Sequence, residues 1–378
     1  MKRLFSTLVR ANLYSLVIAF KILALVVWQL IDHESHDLFG IYSLCLGLTS
    51  TFFIVSGMRS RLYVLGGINS FIDLLSLTKI MMLLGLLSVG SVTLLYFDHD
   101  YLTILMLVSS CKLAENFLDA NTSYIQKTLG RLPAYSILNV HSIILIFAFV
   151  SGLIMGGLEY ALLAELLVLI FTLLRQMIVL KSRPEPENRV SYGFMRVLWN
   201  GSELTFAAGL NSAIVTGFLY WGSFNMPESD ILAIAKILAI QGYCARLITG
   251  NNIFFFKEIV KSEVLVARIA NGATLIGLLI CSVLLLYTEY FGNWSKIGTL
   301  YAFGVAFTVL NIVNITIRQQ LLLTGTVRPL IIVHSLELIF LSTVFALLTP
   351  ASKIAFLVFT LVRFFRNLYL IRLFSSLG

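Results

Sequence analysis

Charge is the scarcest property of this sequence. Asp, Glu, Lys and Arg make up 12% of its 378 residues, about half of the roughly 25% usual in a soluble domain. A soluble globule of this length would not cover its surface with so few charges, which excludes an ordinary cytosolic enzyme. Proline is also scarce. Six prolines and 25 glycines are too few for low-complexity linkers or a collagen-like repeat. The four cysteines, Cys45, Cys111, Cys244 and Cys281, each lie in an apolar run, and no CxxC occurs. They read as small buried hydrophobes, and neither a disulfide framework nor a metal site is expected. The sequence has no Walker motif, HExxH or GxSxG, so no ATPase, hydrolase or cofactor chemistry is indicated.

What is abundant is apolar. Hydrophobic residues make up 58% and mean hydropathy is +0.92. A spanning helix needs about 20 mostly apolar residues. Twelve segments qualify: 12–31, 41–57, 76–95, 101–120, 138–155, 160–180, 204–222, 231–250, 268–289, 296–316, 328–348 and 353–372. The first follows Lys2, Arg3 and Arg10. Its run is too long for a signal peptide and no small-residue cleavage site follows, so it reads as an uncleaved anchor.

The connections alternate in charge. One set carries Arg59 and Arg61, Lys127 and Arg131, Lys181 to Arg196, Lys257 to Arg268, and Arg328; the termini join it, with Arg363, Arg366 and Arg372 on the inner half of the last helix. The other carries Asp32, Glu34, Asp37, Asp98, Asp100, Glu159, Glu228, Asp230 and Glu289. The net charge of +8 therefore reads as positive-inside bias and not as nucleic-acid binding, and both termini are expected in the cytoplasm. The tryptophans agree. Trp28, Trp221 and Trp294 fall at outer ends and Trp199 near an inner one. The segment Asn252–Leu265 reads either as an amphipathic surface helix or as an inward extension of its neighbours.

The acidic-side connections are about nine residues or shorter, which leaves little room for the extramembrane site of a membrane polymerase or glycosyltransferase. The most polar stretch on the basic side, Lys181–Val190, holds two of the six prolines. It divides the chain into six-helix bundles at 1–182 and 196–378, with 183–195 as a cytoplasmic linker. A repeat supports the division. His141–Phe147 (HSIILIF) recurs as His334–Phe340 (HSLELIF), with five identities in seven. A shift by an even number of helices preserves orientation, so the halves are expected to be related by a pseudo-two-fold axis along the membrane normal.

Charges within spans need a partner, a wet cavity or a task, since each costs at least roughly 2.5–3.5 kcal/mol at mid-bilayer. Lys79, Arg175, Arg246 and Glu165 lie near span ends and are expected to snorkel. Lys21 is central, with Val17, Ile18, Ala24 and Leu25 one turn away. Lys236 is flanked by Leu232, Ala233, Ala239 and Ile240. Neither has an acid one turn away on its own helix. Lys112 has Glu115 at i+3. Two readings stand. The lysines are neutralised (Lys112 by Glu115, Lys236 by snorkelling, Lys21 by an acid on another helix), or all three line a wet cationic cavity that binds substrate. Glu337 is central in its span, with His334 one turn earlier; this pair carries a coupling proton or sodium ion, or is a fixed hydrogen bond.

The pattern resembles the lipid-linked oligosaccharide (O-antigen type) flippases of the multidrug/oligosaccharidyl-lipid/polysaccharide exporter superfamily. The likeness rests on the six-plus-six architecture, the basic residues within spans, and the texture of Phe39–Leu44 (FGIYSL) and Arg318–Gly325 (RQQLLLTG). It implies a fold of two bundles facing across a cleft. It also implies movement of an undecaprenyl-diphosphate-linked oligosaccharide to the outer leaflet of a bacterial inner membrane by alternating access. Lysines in a low-dielectric cavity suit an anionic diphosphate. A drug or metabolite antiporter of the same superfamily is the second reading, favoured by an acid-lined cavity. A membrane-embedded enzyme or assembly subunit is the third, favoured by a clustered catalytic carboxylate or histidine.

Overall fold

The computed structural model describes residues 17–18, 20–29, 31, 37–58, 60–66, 68, 70–96, 101–181, 194–254, 327–348 and 351–375. Every described element is an α-helix: α1 (Phe20–Gln29), α2 (Leu38–Gly57), α3 (Ser60–Gly66), α4 (Phe71–Leu95), α5 (Leu102–Leu129), α6 (Arg131–Lys181), α7 (Phe194–Asn225), α8 (Glu228–Phe254), α9 (Arg328–Leu348) and α10 (Ser352–Ser375). These coincide with ten of the twelve expected spans. The segments 268–289 and 296–316 lie outside the described residues, as do most of the linker 183–195 and most of Asn252–Leu265. The short α3 was not expected, and α5 runs nine residues beyond its expected end at 120.

The helices are built inside out relative to a soluble protein. Exposed apolar side chains recur at helical spacing along α4 (Met82, Leu83, Leu86, Leu87, Leu94) and along α6 (Ile143, Phe147, Ile154, then Leu163, Leu167, Phe171, Leu174, Ile178). Buried positions include Lys21, Glu115, Glu165, Glu337, Arg363 and Arg366. Apolar surface outward and ionised groups inward is the arrangement a hydrocarbon solvent requires. Helices α2, α4, α6 and α9 are each long and apolar enough to cross a bilayer.

Chain packing groups the helices into two units. The first comprises Met1–Trp28 with Thr49–Ser212, the second Gln29–Leu48 with Ala213–Gly378. The unit boundaries fall at the last residue of α1 and within α2 and α7.

In the first unit, α6 is a hairpin. Gly156 and Gly157 break it, and Gly157 has φ +77°, a backbone region open to glycine. The two arms pack antiparallel, with Gly152 against Tyr160–Ala161 and His141 against Thr172. A Cβ on Gly152 would lie 2.6 Å from the Tyr160 carbonyl oxygen, so only glycine permits this approach. Helix α4 starts with a side-chain cap, Ser70 Oγ accepting from the Asp73 amide at 3.1 Å. The C-terminal end of α3 is closed by Lys127, whose Nζ donates to the carbonyls of Val64 (3.3 Å) and Ile68 (2.5 Å). Asn116 on α5 donates to the Phe53 carbonyl of α2 at 2.9 Å, a polar tie between spans.

In the second unit, Phe218 and Trp221 of α7 stack with Phe345 of α9 and Phe359 of α10. The centroids are 4.3 Å apart for Phe218–Phe359 and 4.8 Å for Trp221–Phe345. Thr216 Oγ1 donates to the Gly47 carbonyl at 2.8 Å, tying α7 to the first half of α2.

Candidate functional site

The first unit holds a buried polar network on α1, α5 and both arms of α6. The second arm presents Ala161, Glu165, Leu169, Thr172 and Gln176 inward at intervals of three or four residues. Helix α5 presents Cys111, Glu115, Leu118 and Thr122 in the same way. Lys21 of α1 points between them and forms an ion pair with Glu165, both side chains at most 3% exposed. Glu115 lies within electrostatic reach of Lys21 and also pairs with Lys112 at 2.7 Å. Cys111 stands within range of all four charges and donates weakly to the Leu162 carbonyl at 3.4 Å. The ammonium of Lys21 also sits 5.6 Å from the ring centroid of Phe149.

Two further bonds continue the network. Thr172 Oγ1 donates to the Val168 carbonyl at 2.9 Å and lies 2.8 Å from His141 Nδ1. With the hydroxyl proton used in that way, the imidazole is the donor to Thr172. Gln176 Nε2 donates to Thr122 Oγ1 at 2.8 Å. Two ammonium groups and two carboxylates balance within this network.

Of the two readings of Lys21, the geometry fits neutralisation by an acid on another helix. Its acid is Glu165, which the sequence placed among snorkelling residues. Closeness to a span end says nothing about which face of the helix a residue occupies, and Glu165 is on the inward one. For Lys112 the pairing reading holds.

In the second unit Lys236 pairs with Asp37 at 2.6 Å. Asp37 also caps α2, its Oδ1 accepting from the Gly40 amide at 2.9 Å. Both partners are half-buried. The lysine reaches an acid read as a connecting-loop residue, so it too is neutralised within the described residues.

Glu337 and His334 form a different cluster. Glu337 accepts from Arg363 Nε at 3.0 Å and from Arg366 Nη1 at 2.9 Å, while His334 Nδ1 lies 3.5 Å from it. Arg366 also donates to Asn367 Oδ1 at 2.8 and 3.1 Å, and Arg363 stands 5.1 Å from the Phe359 ring centroid. All three charged side chains are at most 4% exposed. The sequence reading counted Arg363 and Arg366 as inner-leaflet charges. Their spacing of three residues places both on one face of α10, toward α9, and that spacing was the signal that could have found them.

The structure thus brings Lys21 and Lys112 into one network, binds Lys236 to Asp37, and joins Glu337 and His334 to two arginines. Among the described residues no group of three His, Cys, Asp or Glu side chains is placed to hold a metal ion.

No protein-family model matches the sequence, and no curated protein sequence matches it. Solved structures do. A MOP superfamily transporter from Pyrococcus furiosus, described for the reverse polarity of its binding pocket, superimposes with a TM-score of 0.56 at 12% identity, over 98% of this chain and 95% of its own. A MATE protein in its straight conformation gives 0.53 at 12% identity, over 98% and 97%. An inward-facing multidrug resistance MATE family transporter of the MOP superfamily gives 0.52 at 12% identity, over 98% and 95%. At this identity the likeness establishes the fold, and the chain is a polytopic, all-helical membrane protein with the architecture of these transporters.

Proposed function

We propose that this protein is a membrane transporter of the MOP type, working by alternating access, and that its cargo is an undecaprenyl-diphosphate-linked oligosaccharide. The observation that carries the transport reading is the match in fold over nearly the whole of both chains. The cargo reading draws on the buried cluster of the second unit, where two guanidiniums meet one carboxylate, and on the scarcity of extramembrane chain. The reading includes six-helix bundles at 1–182 and 196–378, a pseudo-two-fold axis, cytoplasmic termini and a bacterial inner membrane. Its internal support is that His141 and His334, the first residues of the repeated motif, are both buried on the leading helix of a hairpin.

A second reading, a drug or metabolite antiporter of the same fold, is favoured by the pairing of Lys21 and Lys236 with carboxylates. That pairing removes the lysines as free anchors for an anionic cargo. Reconstitution separates the two. Proteoliposomes carrying a fluorescent undecaprenyl-diphosphate oligosaccharide are challenged with a membrane-impermeant quencher. Faster exchange between leaflets than in protein-free vesicles is expected. Equal rates, together with efflux of a cationic dye by the same vesicles, would establish the antiporter instead.

A further inference from the structure

Four features surround the ammonium of Lys21. Glu165 pairs with it directly, Glu115 lies within electrostatic reach, the Phe149 ring faces it, and the second oxygen of Glu165 is buried without a hydrogen-bond partner. Two carboxylates, an aromatic face and an unused carboxylate lone pair are the surroundings of a cation, and the cation is supplied by the protein's own side chain. We infer that this is an alkali-cation site held shut by Lys21, in which the lysine ammonium stands where a sodium or potassium ion would otherwise bind.

The charge count explains why the site is closed. With Lys21 in place, the two carboxylates and two lysines of the network balance. Remove the ammonium and one buried negative charge is left over, beside an oxygen that already lacks a partner. A buried charge of that kind either recruits a counter-ion or protonates. The oxygens of Glu165 are hard ligands of the sort that take sodium or potassium, Glu115 adds negative potential at longer range, and the Phe149 face favours a monovalent cation over an anion. Lys112 remains paired to Glu115 in either case, so the vacated position has room for a single positive charge. The consequence for the intact protein is that this position takes no free metal cation, and its occupancy does not depend on which alkali salt is present.

The test uses the purified full chain in detergent, comparing the wild type with Lys21→Met and with Lys21→Met/Glu165→Gln. Thermal unfolding is followed in choline, sodium and potassium chloride at equal ionic strength, with retention of radioactive sodium as a second readout. The wild type should unfold at the same midpoint in all three salts. Lys21→Met should show a saturable upward shift in sodium or potassium over choline and should retain labelled sodium. Adding Glu165→Gln should abolish both. A folded Lys21→Met that ignores the cations overturns the inference, as does one stabilised only by lowering pH, because a proton then fills the site. A wild type that responds to sodium as the variant does also overturns it. So does a Lys21→Met that cannot be recovered folded in either sodium or potassium, since the cation should then have rescued it.

Discussion

The network around Lys21 and the cluster around Glu337 solve the same problem with opposite wiring. In the first, two lysines meet two glutamates and the charges cancel; its key pair joins residues 144 positions apart. In the second, two arginines converge on one glutamate across a single hairpin, 26 and 29 positions apart. The first network ties distant segments of its unit together and is electrically closed. The second is assembled locally and is rich in positive charge. A buried ion group can therefore serve as a clasp between remote spans or as a cationic focus within one hairpin, and the described residues include both kinds.

The largest expected effect comes from opening the second. Glu337→Ala removes the carboxylate on which both guanidiniums converge, and breaking a buried pair in this way costs about 3–5 kcal/mol. A large fall in the yield of folded protein, read by size-exclusion chromatography and thermal unfolding, is expected. A variant that folds normally but loses ion-gradient-driven transport would instead give Glu337 and His334 the coupling role.

A smaller loss is expected from Glu165→Gln. It keeps an acceptor for Lys21 and leaves Glu115 nearby, so about 1–3 kcal/mol is at stake. The swap Lys21→Glu/Glu165→Lys should recover part of the loss caused by either single change. No recovery would mean that surroundings tuned to each side chain, and not the pair, hold α1 to α6. The smallest effect belongs to Lys236→Ala. The pair with Asp37 is half-buried and Asp37 keeps its capping role, so about 0.2–1 kcal/mol is expected in the same unfolding assay. A loss as large as that of Glu165→Gln would erase the distinction between this peripheral pair and the buried ones.

The spans were legible because long apolar runs are one-dimensional features, and every described helix of membrane length falls on an expected segment. Local pairs were legible for the same reason: Lys112–Glu115 and His334–Glu337 are i,i+3 neighbours, and helical geometry brings such residues together. Lys21–Glu165 and Asp37–Lys236 were not, because only packing decides which distant helices touch. The pairing of Arg363 and Arg366 with Glu337 was not foreseen because the positive-inside rule counts arginines by distance from a span end and ignores the face they occupy. Glu165 was read as snorkelling because it lies near a span end, and that reading also ignored its face. The inward stripe carried the missing information, since Ala161, Glu165, Thr172 and Gln176 form a small and polar line down a largely apolar helix arm.

The 144-residue separation of Lys21 from Glu165 also sets a clock. Ribosomes add roughly 5–20 residues each second, so the segment bearing Lys21 exists for on the order of ten seconds or more before its carboxylate has been made. During that interval the lysine must reach toward a headgroup layer or be sheltered by the insertion machinery, because hydrocarbon offers it nothing. Lys112 faces no such delay, since Glu115 follows three residues later. The order of synthesis therefore leaves α1 without its carboxylate until α6 has been made, and the arrival of α6 is the event that seats it.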